Sequence, residues 1–274
     1  MLAATLIEEE GIVSGESDKL ELTEHDRELE QMILRVPVPL CRNVARSAVN
    51  YIRRAWRLRK IDPPLAMFCC ITGEEEAVRA IFHSLQRHHY RGAERLRYRD
   101  HRQKAVVVPF LHVIGEEIAG MQGIELSVAI DRSKSPPQLF TRAFTKLPDG
   151  TPVVVRPTPP LNASATVDGR DPDFTAELTK VFGGNDLPRL RAVMRERANE
   201  RNRWLYASER GLPGVAVPVE QLFAEHRANV FGLLTFFLLI DEHPTVQAFP
   251  QEALTAFLRV LDLLRDSKLA TAPN

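Results

Sequence analysis

The segment between Pro218 and Pro244 constrains this chain more than any other. Its centre, Val230-Phe-Gly-Leu-Leu-Thr-Phe-Phe-Leu-Leu-Ile240, is apolar on every side of a helix. A helix without a polar face has to be covered all round, by other elements or by lipid. The run itself is far short of the roughly 20 residues needed to span a bilayer. It therefore predicts a buried core helix, begun at Pro218 and stopped before Pro244, around which other helices pack.

The rest of the chain supplies those helices. A first begins near Thr23 and is broken at Pro37 and Pro39. From Cys41 to Lys60, Val44, Ala48, Ile52, Ala55 and Leu58 recur at helical spacing and leave a basic outer face. Asp62-Pro63-Pro64 then supplies a capping carboxylate and first-turn prolines. The helix it opens carries Leu65, Phe68, Cys69, Val78, Ile81, Phe82 and Leu85, and the two should form an antiparallel pair. A basic connector from His88 to Lys104 leads to a third helix through Val106, Phe110, Val113 and Ile114, which Pro109 should kink. Two further helices are expected over 173–182 and 186–208, and a last one from Pro250 with Leu254, Phe257, Leu258, Leu261 and Leu264 on one face.

Between these blocks the period changes. Ile124 to Ile130 and Leu139 to Thr145 alternate with period two, Pro148-Asp149-Gly150 is a turn, and Thr151 to Arg156 reads as another strand. The expected fold is mainly α: an antiparallel helical bundle with a small β-hairpin or three-stranded insertion. Its parts are an acidic flexible tail (1–22), an N-terminal helical part (23–122), the β-insertion with a long loop (123–172) and a C-terminal helical part (173–274). Hydrophobic residues at 44% and charged residues at 26% suit a globular core rather than disorder.

The three cysteines, Cys41, Cys69 and Cys70, form no CxxC pair and read as reduced, buried thiols. The opening stretch is acidic where a secretory signal would be basic, so a soluble cytoplasmic protein without a membrane partner is expected. No Gly-rich phosphate loop, Gly-x-Ser-x-Gly elbow or His-Glu-x-x-His motif is present, which argues against the common nucleotide-dependent and hydrolytic enzymes. Basic and acidic residues number 36 each, so a polyanion partner would require a local basic patch. One candidate runs from Arg87 to Lys104, where arginines are interleaved with Tyr90 and Tyr98. Such a stretch can grip phosphates and stack bases, or be only a solvated surface. In the run Glu74-Glu75-Glu76, at least one side chain is expected to point outward.

Three segments stand in a telling order. Asn43 to Ala55 is followed by Ala66 to Ala80, an Ala-rich helix ending in Glu75-Glu76-Ala77-Val78-Arg79; next comes Asp100-His101-Arg102-Gln103-Lys104; then Arg201-Asn202-Arg203-Trp204-Leu205-Tyr206-Ala207-Ser208. Together they resemble the HEPN superfamily of helical RNA-acting domains, specifically its abortive infection V (AbiV) branch, with its paired helices, Glu-Glu-x-x-Lys, His-x-x-Lys and Leu-Tyr-Val motifs. Arg79 stands where that family has lysine. The resemblance covers about 42–112 and 189–231 and leaves out the β-insertion.

The resemblance implies a homodimer with a role in anti-phage defence or stress, acting on RNA or on ribosome-associated factors. RNA-cutting members of the superfamily place an arginine a few residues before a histidine and bring the two together across a dimer. Here Arg95 and His101 have that order, although in the third-helix region rather than a later helix. Histidine can move a proton to or from the RNA 2′-hydroxyl or the leaving oxygen, and arginine can stabilise charge building on the phosphorane. The expected catalytic set is thus His101 as general acid or base, Arg95 as the cation, and Glu75 holding a basic side chain such as Arg42, Arg46 or Arg53. RNA contacts are expected from Arg91, Arg97, Arg99, Arg102, Lys104, Arg201 and Tyr206. No cofactor or metal is expected, since His83, His88 and His89 lack a completing cysteine or carboxylate at a recognised spacing. The rival reading is a non-catalytic helical dimerisation module that binds protein. It requires Arg95 and His101 to diverge into solvent, with a broad apolar patch exposed elsewhere.

Overall fold

The computed structural model describes residues 20–120, 125–146, 149–162 and 218–269, together with Ala192, Glu196, Asn199, Arg203 and Trp204. Among these residues the fold is mainly helical, with a small three-stranded antiparallel sheet, as the sequence predicts. Helix α1 (Glu24–Arg35) starts at a capping box: Thr23 Oγ1 accepts from the Asp26 amide at 3.1 Å, and Asp26 Oδ2 accepts from the Thr23 amide at 3.2 Å. Such a cap is worth about 1 kcal/mol. Val36 ends α1, and α2 (Pro39–Leu58) begins with proline in its first turn, where no amide donor is lost.

Asp62 opens α3 (Pro63–Arg87), its carboxylate accepting from the Leu65 amide at 3.1 Å. Helices α2 and α3 pack antiparallel as expected, with Gly73 against Ala48 and Ile52. A Cβ on Gly73 would lie 3.3 Å from the Ala48 carbonyl oxygen, so glycine sets how closely these helices approach. After α3 the chain turns through Gly92, at φ +91°, into a short 3-10 turn (Ala93–Arg95), and α4 runs over His101–Gly120 with Pro109 inside it.

Helix α5 (Val219–Asp241) contains the apolar run and is the predicted core helix: Val230, Leu234, Phe237, Leu238 and Ile240 are fully buried. The whole helix, at 23 residues, is long and apolar enough to cross a membrane, although the run that drew attention is not; 56% of its apolar window is buried inside the bundle. It lies parallel to α3, because Glu74 meets His226 and Ser84 meets Asp241, partners that advance together along both helices. Helix α6 (Ala248–Leu269) begins two residues before Pro250, the expected start. Gln247 is fully buried there: it accepts from the Leu161 amide, donates to the Leu239 carbonyl, and its own amide donates to Tyr90 Oη at 3.0 Å. Pro250 then falls in the first turn, where it is tolerated. Phe257 joins α6 to α3 and α4 through Phe82 and Phe110.

Strands β1 (Glu125–Asp131), β2 (Gln138–Lys146) and β3 (Pro152–Val155) form the sheet in that order, with Val128 opposite Thr141 and Ala143 opposite Val155. It is fastened to the bundle by Leu139, which joins the core, and by Arg132, which makes two hydrogen bonds to Glu28 of α1 at 2.6 and 2.8 Å. The helix expected over 173–182 lies outside the described residues. Of that expected over 186–208, Ala192, Glu196, Asn199 and Arg203 are described and helical.

Candidate functional site

The three consecutive glutamates on α3 turn in three directions, since each step along a helix rotates the side chain by about 100°. Glu74 faces α5, where His226 Nδ1 and Asn229 Nδ2 each lie 2.8 Å from its Oε1. Glu76 stays on α3, 3.6 Å from Arg79 one turn on. Glu75 faces α4, where its Oε2 lies 2.6 Å from His101 Nδ1 and 3.1 Å from Lys104 Nζ. None of the three points freely outward as the run had suggested: their side chains are 12%, 17% and 7% exposed in the order Glu74, Glu76, Glu75. A buried carboxylate is retained only if paired and hydrogen-bonded, and each here has nitrogen partners.

The His-x-x-Lys spacing has a direct physical meaning. Asp100 precedes α4 and accepts from the Arg102 amide at 2.9 Å, which fixes the first turn. His101 and Lys104 then fall three apart on one face, and both reach the same carboxylate oxygen. Lys104 is buried like Glu75, at 5% exposure, whereas the His101 side chain is 44% exposed. One end of the cluster is therefore locked inside the bundle while the imidazole remains open to solvent. With Nδ1 held by Glu75, Nε2 is the ring nitrogen left for a substrate.

His101 and Lys104 line a cleft of about 450 Å³ with Leu40, Glu76, Arg79, His83, Tyr98 and Arg99. Tyr98 is its aromatic centre: the Arg79 and Arg99 guanidinium groups lie 5.4 and 5.7 Å from its ring, and the His83 ring 4.9 Å away. Burial first, and then the neighbouring Arg79 guanidinium, hold the His83 pKa below the usual histidine range, which disfavours its charged form. A half-exposed cleft with cations, an aromatic face and two imidazoles can bind a phosphodiester and move protons at it.

The remaining expected site residues are dispersed. Arg95 makes an ion pair with Asp262 of α6 and is not among the residues lining the cleft, so it and His101 do not share that groove within one chain. Glu75 does not hold Arg42, Arg46 or Arg53. Arg53 pairs with Glu30 at 2.6 Å, Arg42 donates to the Val36 carbonyl at 3.0 Å, and Arg46 is exposed on α2. Arg91, Arg97 and Arg102 are exposed outside the cleft lining, Arg99 and Lys104 line it, and Arg201 and Tyr206 lie outside the described residues. Tyr90, paired with Tyr98 as a candidate base-stacking residue, is 2% exposed and belongs to the core. His83 and Arg79 line the cleft, although the sequence reading gave them no part in catalysis or RNA contact. His83 falls four residues after Arg79 on α3, a spacing that puts both on one face, and this was the available signal.

Cys41, Cys69 and Cys70 are free and buried, and burial pushes all three thiols up. Among the described residues no group of three or more His, Cys, Asp and Glu side chains is placed to hold a metal ion. No family model, no curated protein and no solved structure matches the chain, so what the cleft can do is argued from its geometry.

Proposed function

We propose that this protein acts on RNA as an HEPN/AbiV-like defence or stress protein, and that the Glu75–His101–Lys104 cleft cleaves the RNA backbone. The observation that carries this reading is one carboxylate oxygen, Glu75 Oε2, holding a half-exposed imidazole at 2.6 Å and a buried lysine at 3.1 Å beside Arg79, Arg99 and Tyr98. The reaction suited to such a site is attack of a 2′-oxygen on the adjacent phosphorus. The 2′-hydroxyl gives up its proton, the bond from phosphorus to the 5′-oxygen breaks, and that oxygen takes a proton. The products are a 2′,3′-cyclic phosphate and a 5′-hydroxyl end.

His101, backed by Glu75, is suited to take the first proton and to give the second, while His83 Nε2 accepts from Arg79 Nε at 3.4 Å and helps hold that guanidinium in the cleft. Arg79 and Arg99 supply the positive charge that a phosphorane needs, the role the sequence had suggested for Arg95. Glu75, Lys104 and His101 meet within one chain. In the proposed cytoplasmic homodimer, each copy would therefore carry its own pair. Ribosome-associated RNA is a natural target for such a site in a stress response.

The test compares wild type with His101→Ala, on a fluorophore–quencher RNA in EDTA and in cells scored for growth and total-RNA integrity. Cyclic phosphate ends from wild type, formed at least about 100-fold more slowly by the variant, are expected. Equal cleavage by both proteins, or none by either, ends the cleavage reading.

A further inference from the structure

We propose that the solvent face of α2 is a docking track for the backbone of a single-stranded RNA as it leaves the Glu75–His101 cleft; this rests on the reading of that cleft given above. Helix α2 carries five arginines and no acidic residue, in a chain whose acidic and basic residues are equal in number. Several arginines elsewhere on the bundle meet carboxylates: Arg87 meets Asp241, Arg95 meets Asp262, and Arg227 meets Asp26. On α2, Arg53 is paired with Glu30 and Arg42 with a carbonyl, but no described carboxylate pairs with Arg46, Arg54 or Arg57, all of them exposed.

Asn43, Arg46, Ser47, Asn50, Tyr51 and Arg54 line a polar groove of about 390 Å³ along this face. Their spacing of three and four is that of one helical stripe. The stripe starts one turn from the cleft, because Leu40, three residues before Asn43 on the same helix, is a cleft wall. From Leu40 to Arg54 the helix advances about 21 Å at ~1.5 Å per residue, enough for several nucleotides of an extended strand. The chemistry suits a sugar–phosphate backbone read without sequence preference. Two guanidinium groups can meet phosphates, amides and a hydroxyl can reach sugar and phosphate oxygens, and Tyr51, with the Arg54 guanidinium 5.4 Å from its ring, offers a stacking surface.

The experiment measures anisotropy of labelled 2′-O-methyl oligouridylates of 3 and 12 nucleotides, which lack the attacking hydroxyl, with the full chain across a salt series. Wild type is compared with Arg46→Gln/Arg54→Gln, and with Arg99→Gln as the cleft control. Losing two phosphate contacts should lower the salt slope for the 12-mer by about 1.4, hence weaken binding about 25-fold at 0.1 M salt. The 3-mer should be held equally by wild type and the double variant, and more weakly by Arg99→Gln. Equal 12-mer binding by wild type and the double variant overturns the track and leaves the cleft reading standing, whereas no RNA binding by wild type overturns both. A double variant that turns a wild-type dimer into a monomer in sedimentation also overturns the track, and assigns this face to contact between copies.

Discussion

Replacing Glu75 with glutamine should separate the two jobs of the cluster. Glu75 and Lys104 are 7% and 5% exposed and 3.1 Å apart. At that distance, with an effective dielectric of ~20, their gross Coulomb attraction is about 5 kcal/mol. Much of this offsets the cost of taking both charges out of water, so the intact pair contributes little net stability. Removing Glu75 takes from the buried Lys104 the carboxylate that faces it, which costs about 3–5 kcal/mol. Glutamine keeps an acceptor oxygen for Lys104, so Glu75→Gln should lie near the lower end, about 3 kcal/mol. Lys104→Met should cost less, because Glu75 keeps His101 Nδ1 at 2.6 Å. The double variant should be destabilised far less than the sum, giving a coupling of about 2–3 kcal/mol. His101→Ala, which removes a half-exposed partner, should cost under about 1 kcal/mol. The assay is urea unfolding of all four variants and wild type by circular dichroism at one pH. A coupling below about 0.5 kcal/mol, or a His101→Ala loss as large as that of Glu75→Gln, would refute the reasoning.

Two further perturbations test the frame around the site. Gly92 has φ +91°, and a Cβ there would stand 2.6 Å from Leu258 Cδ1; Gly92→Ala should cost about 2–4 kcal/mol from backbone strain and overpacking together. Adding Leu258→Ala would relieve the clash but not the strain, so no change in the penalty between the two backgrounds would count against this geometry. Because His83 is held below its ordinary pKa by burial and by Arg79, its contribution to stability is present above the unfolded value of about 6.5 and is lost as pH falls through the lower folded value. His83→Asn should therefore narrow the drop in the urea midpoint between pH 7 and pH 5, and an unchanged drop would show that His83 does not titrate this way.

Local grammar made much of the architecture legible. Thr23, Pro39, Asp62 and Pro218 stand at helix starts because caps and ring constraints act within a few residues. The strands announced themselves because side chains in a strand alternate with period two. The α2–α3 hairpin followed from the short Arg59–Asp62 connection, and the core helix from an apolar run that had to be covered. Even the three-residue spacing of His101 and Lys104 points to one helix face.

Partners across the bundle were another matter. Nothing local tells Glu75 to choose His101 and Lys104 over the arginines of α2, or Glu74 to reach His226, 152 residues away. Those choices depend on the rotation of α3 about its axis, and the packing of Gly73 and the apolar residues around it sets that rotation. A turn of one residue would send each glutamate to a different neighbour. The same holds for Arg95, which finds Asp262 167 residues on, and for Tyr90, whose hydroxyl is claimed by the backbone of Gln247. From the sequence alone came the helices, the sheet and a shortlist of chemical groups. Only the packed bundle decided which groups meet, because a side chain's direction turns with every residue while the covering of apolar surface fixes the whole helix at once.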